Sequence, residues 1–150
     1  MSTAESTESV AMAFTRDPGD WLRKLSPDEW IRAGLGELRR AEQAFAAGNA
    51  RGGAAGVKRA AGMALNAALI VEPAEAWGRS YVEHLAALAK DPRVPAAVRS
   101  ACRAVLDAKQ PAGEVVVLRT PHAHDGVLEA ARDVIAHAWA VVRRHETTTG

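Results

Sequence analysis

This chain of 150 residues lacks most of what would declare a function at once. It has one cysteine, Cys102, which excludes an internal disulfide framework and any cysteine-cluster zinc site. Only 4 Trp, 1 Tyr and 2 Phe supply its aromatics. Charge of one sign is missing too: Lys+Arg 19 stand against Asp+Glu 18, a net +1. A protein held on nucleic acid by bulk charge is not built that way, although a small basic site remains allowed. The longest nearly apolar run, Ala60 to Val71, is broken by Gly62 and Asn66 and falls short of the ~20 residues a membrane span needs. The Ser/Thr/Glu-rich start carries acidic rather than basic residues, so it does not read as a secretory signal. With a free thiol, a cytoplasmic location is the expectation. No GxxxxGK[ST] loop, GxSxG elbow or HExxH pair occurs, and Gly34-x-Gly36 falls inside a helical stretch rather than at a strand-to-helix turn.

What is present is helical periodicity. Alanine makes up about a fifth of the chain and arginine far outnumbers lysine. Ser26-Pro27-Asp28-Glu29 reads as a helix start with a capping box. Behind it Ile31, Leu35, Leu38 and Phe45 form one stripe, ending at Gly48-Asn49. Arg51-Gly-Gly-Ala-Ala-Gly reads as a flexible entry to a second helix over about 54–71, apolar on all sides in its second half and therefore central. Its small residues Ala61, Gly62, Ala64 and Ala68 allow close backbone approach, and Pro73 ends it. Trp77, Tyr81, Leu85 and Leu88 make a third stripe with His84 at its boundary. A shorter fourth helix follows Pro95, with Val98, Cys102 and Val105 inward. After an irregular stretch around Val115-Val116-Val117-Leu118, Asp125 caps a last helix over about 126–145. Val127, Ala131, Val134, Ala138 and Val141 mark its apolar face, widened by Leu128, Ile135, Trp139 and Val142. The expected fold class is all-α: an up-and-down bundle of four to five helices. The expected division is a flexible segment over 1–15, one bundle domain over 16–146, and a tail over 147–150.

Candidate chemistry concentrates on the last helix. Glu129, Arg132, Asp133, His137, Arg143 and Arg144 form its polar side. Asp133 and His137 are four residues apart, a spacing at which a carboxylate can orient an imidazole. An arginine fork can hold a phosphate. Arg132 with an oriented His137 therefore suffices in principle for metal-free RNA cleavage, the histidine moving protons and the arginine stabilising phosphate charge. Lys58 and Arg59 on the second helix, with Arg143 and Arg144, are the candidate RNA contacts. Arg119 and His124 are a second Arg-x4-His pair. His122 and His124 offer at most a metal edge, with no third ligand at helical spacing, so neither a metal nor a cofactor is expected. Cys102 reads as an inert buried thiol, and Asn66 as a buried amide with a partner to find.

Arg132-Asp133-x3-His137-x-Trp139 resembles the signature of HEPN domains: an arginine followed by a polar residue, then histidine four to six places on, then an aromatic. The helical layout over about 27–145 is similar as well. The resemblance implies an all-α, usually dimeric bundle. It also implies action on RNA, often as a metal-independent ribonuclease of toxin–antitoxin or defence systems. Asp133 stands where the commonest nuclease form has Asn, and the motif lies in the final helix. Two functions compete: an RNA-directed HEPN-like protein, and a non-catalytic helical module. The second would homodimerise or bind a larger partner such as a nucleotidyltransferase.

Overall fold

Ser26 starts the first helix as its neighbours dictate. Its hydroxyl accepts from the Glu29 amide at 3.2 Å, and the Glu29 carboxylate accepts from the Ser26 amide at 2.8 Å. Pro27 occupies the first turn, where no N–H is needed. The Arg16 guanidinium, with the Ser26 amide behind it, holds the Glu29 carboxyl down at about 2.

A computed structural model describes residues 14–108 and 124–149. Among them are five α-helices and no strand. They are α1 (Pro27–Ala46), α2 (Ala50–Val71), α3 (Tyr81–Ala89), α4 (Ala96–Leu106) and α5 (Asp125–Thr149). A 3-10 turn at Glu75–Trp77 precedes α3. The all-α bundle is therefore as expected. The N-terminal segment before Phe14, the apolar run Val115–Leu118, Arg119 and His122 lie outside the described residues.

α1 and α2 form an antiparallel hairpin. The chain turns at Gly48, whose φ of 83° suits glycine. Asn49 then caps α2 by accepting from the Gly52 amide at 2.8 Å. The glycine-rich stretch after Arg51 is thus helix, not a flexible entry. Gly53 and Gly56 are buried there, close against Phe45 and Ala41 of α1. Gly34 meets backbone rather than a side chain: a Cβ there would stand 2.8 Å from the Ala60 carbonyl oxygen.

α2 is the core helix. Val57, Ala60, Ala61, Ala64, Leu65 and Ala67 have no exposed surface. By length and composition it could cross a membrane, but most of it is buried inside the bundle. Lys58 near its start donates to the Ala108 carbonyl just after α4, at 2.6 Å. α3, of 9 residues, begins against the middle of α2, where Tyr81 meets Gly62 and His84 meets Asn66, and α4, of 11 residues, ends level with Lys58. α3, rather than α4, is the shortest helix, because Trp77 sits in the preceding turn and Tyr81 begins the helix. α5 then starts beside the end of α1, where His124 stacks on Phe45, and ends beside Glu72 at the end of α2.

Three side chains sit where the periodicity did not put them. Leu35, expected in the α1 stripe, is 40% exposed, because Trp30, Ile31, Gly34, Leu38 and Ala41 form the buried face. Trp139, expected to widen the inner face of α5, is also 40% exposed. His84, expected at a boundary, is completely buried.

Candidate functional site

Arg132 and His137 sit on α5 about 140° apart at 100° per residue, and they face different neighbours. The Arg132 guanidinium is exposed and reaches Glu42 of α1 at 3.3 Å and Glu129 at 3.6 Å. His137 is half-buried on the flank near the end of α2. Burial pushes its pKa below the ordinary value of 6.5. Arg144 pushes the same way and Glu72 opposes. The ring is thus neutral near pH 7. Asp133 stays exposed, and no bond joins it to His137; it has no hydrogen-bond or ion-pair partner among the described residues. Sequence spacing placed these two side chains within reach, but one turns to the bundle and the other to solvent.

Glu72 gathers the end of α5. Its Oε2 accepts from Arg144 at 2.9 Å and lies 2.8 Å from His145 Nε2. Partial burial works against its charge, but Arg144 and His145 prevail and hold the carboxyl below its usual value. No sequence signal marked Glu72, because its partners lie 72 and 73 residues away.

The expected RNA-contacting cations are separated. Lys58 is held on Ala108, and Arg59 Nε donates to Glu37 at 3.1 Å. Both lie in the first half of α2. Arg143 and Arg144 lie near its other end, about 20 Å away along the helix. Arg143 stacks over the Trp139 ring at 5.5 Å and reaches Glu146 at 3.8 Å. Of the second Arg/His pair only His124 is described, its ring 4.0 Å from that of Phe45 and nearly parallel to it. Among the described residues no three His, Cys, Asp or Glu side chains come together around a metal position.

Among the described residues the interior holds one polar pair. His84 Nε2 lies 2.7 Å from Asn66 Oδ1, and Nδ1 lies 2.8 Å from the Trp77 carbonyl oxygen. Trp21, Trp77 and Tyr81 surround the ring at 6.0 to 6.3 Å. Burial pushes the His84 pKa down. Cys102 is buried and its thiol is pushed up to about 12 by that burial, so it is no nucleophile. An open cleft of about 300 Å³ beside Trp21 is lined by Leu22, Leu69, Pro73, Glu75 and Arg79, with no serine, cysteine or histidine in its lining.

The most distinctive surface is the seam between α1 and α5. From the Glu42–Arg132 ion pair, seven residues back along α1 comes Leu35, and seven residues forward along α5 comes Trp139. The helices run in opposite directions, so both side chains fall about 10 Å from that ion pair, at one level of the bundle. Ala136 and Ala140, both exposed, continue the strip along α5. Comparison with known proteins finds no matching family model, no matching curated protein and no matching solved structure.

Proposed function

We propose that this chain is a HEPN-like helical module that works by docking a protein partner on its α1/α5 seam. One observation carries this: Leu35 and Trp139, two of the three large apolar side chains most exposed among the described residues, share that seam. Neighbouring Ala136 and Ala140 are small enough for a partner helix to approach closely. Tryptophan and arginine are both enriched at the energetic centres of protein interfaces, and Arg143 stacks on Trp139 here. Light scattering tests the proposal. The protein is expected to associate at micromolar concentration, and Leu35→Ser together with Trp139→Ser to abolish association while leaving helical content unchanged. A wild-type chain that stays monomeric and behaves like the double variant counts against it.

A second reading follows from His137. A half-buried neutral imidazole with Arg144 beside it is equipped to take a proton next to a phosphate. Under this reading the purified protein cleaves RNA in the presence of EDTA. His137→Ala then lowers the rate by about 100-fold or more. Because burial lowers the pKa of the base, the rate holds near pH 7 and falls on acidification, at lower pH than an ordinary imidazole would give. Cleavage that survives His137→Ala assigns the activity elsewhere.

A further inference from the structure

Six residues of α5, Glu129, Arg132, Asp133, Ala136, Ala140 and Arg143, lie within about 100° of one another around the helix, and all are exposed. Their order along the helix is not random. In the first half Asp125, Glu129 and Asp133 outnumber Arg132. In the second half Arg143 and Arg144 outnumber Glu146. The alanines lie between. A parallel neighbour of the same sequence would set like charge beside like. An antiparallel one sets the acidic half against the basic half and opposes the two helix dipoles favourably.

We infer that this face pairs with the same face of a second copy, antiparallel, about a two-fold axis level with position 138. The register follows from the residues. Ala136 and Ala140 are placed symmetrically about 138, so each comes level with the other on the second copy, and the backbones can approach to about 8 Å. Asp133 and Arg143 are also symmetric about 138, each about 7.5 Å along the axis. Asp133, exposed and without a partner among the described residues, meets Arg143 of the second copy, and the contact occurs twice. Trp139 flanks the strip, so the two copies bring their Trp139 rings together on one side of it. Arg143 keeps its plane over its own Trp139 and turns its edge to the carboxylate. Leu35 on α1 extends the buried strip beyond the single helix pair.

This pairing rests on the docking reading above and commits it to one partner and one register. Charge exchange tests it. Asp133→Arg and Arg143→Asp each place like charges at both contacts, and each is expected to weaken self-association at least about tenfold by sedimentation equilibrium. The two substitutions together restore opposite charges and are expected to return the dissociation constant to within a few-fold of wild type. Ala140→Arg, at an exposed position that does not disturb the core, is expected to give a monomer of unchanged helicity. A wild-type monomer at every concentration overturns both the docking reading and this pairing. A dimer indifferent to all three single variants, or a double variant weaker than either single one, overturns the pairing alone.

Discussion

His84 raises a question of proton count. A neutral imidazole has one N–H, yet both ring nitrogens face carbonyl oxygens, of Trp77 and of Asn66, at 2.8 and 2.7 Å. That arrangement satisfies a charged ring. A neutral ring needs the Asn66 amide turned so that its NH2 donates to Nε2, while Nδ1–H still donates to Trp77. Asn66 can serve both states, so protonation costs desolvation but no hydrogen bond. The sign of the pH effect follows. Burial lowers the His84 pKa below its ordinary 6.5, and burial acts likewise on His137. The unfolded chain therefore binds these protons more readily, and stability falls as pH drops through 6.5. The melting temperature is expected to decrease between pH 7 and pH 5, with a shallower slope in His84→Gln. Asn66→Asp reverses the sign at this site, because a carboxylate facing Nε2 favours the imidazolium. An NMR titration of the His84 ring is expected to place its pKa above 6.5 in that variant; a value still below 6.5 would refute the assigned contact. Asn66 was conspicuous in the sequence as one amide in an apolar helix. Its partner was not, since nothing in the Tyr81–Leu88 spacing shows that the turn at Trp77 folds over His84.

At the scale of elements, small residues decide which helices touch. Ala61, Gly62, Ala64 and Ala68 are the positions at which the sequence allows close backbone approach; in the structure Ala64 lies against Gly34 of α1, and Gly62 lies against the Tyr81 side chain. Gly34 was read only as a failed phosphate loop, yet it sets the α1–α2 distance. The neighbour a Cβ would meet is a backbone carbonyl, which cannot swing aside as a side chain can. Gly34→Ala is expected to destabilise the fold by about 1–3 kcal/mol despite its better helix propensity, measured by urea unfolding. A stabilising outcome would mean that the helices part without cost. Lys58 is a second case. Read as an RNA contact, it instead ties α2 to the end of α4, and Lys58→Ala is expected to cost about 1–2 kcal/mol and to speed amide exchange at the end of α4 before the rest. Helix identity was legible because capping boxes and periodicity are local. The start of α2 departs from the expectation because glycine favours flexibility in isolation, while the Asn49 cap and the packing of Gly53 on Phe45 and Gly56 on Ala41 hold it helical. Leu35 and Trp139 were misread for a related reason: periodicity gives a stripe, and which edge of it faces inward depends on where the neighbours lie.

At the scale of the molecule, the described helices leave an outer face that is neither core nor an ordinary charged surface. α2 is enclosed, so the surplus apolar surface read from the sequence is not on the small-residue helix but on the α1/α5 seam. There the Arg132–Glu42 pair stitches two helices, and the charges along α5 divide into an acidic first half and a basic second half. An exposed helix whose charges are segregated along its length is suited to meeting a copy of itself. Association of the folded state alone has a thermodynamic consequence that needs no substitution to see. Mass action makes stability depend on protein concentration when unfolded chains are monomeric. For a domain of this length each tenfold rise in concentration is expected to raise the melting temperature by about 2 °C. The same series on Ala140→Arg is expected to be flat, with its midpoint at or below that of the most dilute wild-type sample. A wild-type midpoint that does not move over a hundredfold range would show that folding is complete within one chain and that the seam contributes nothing to it.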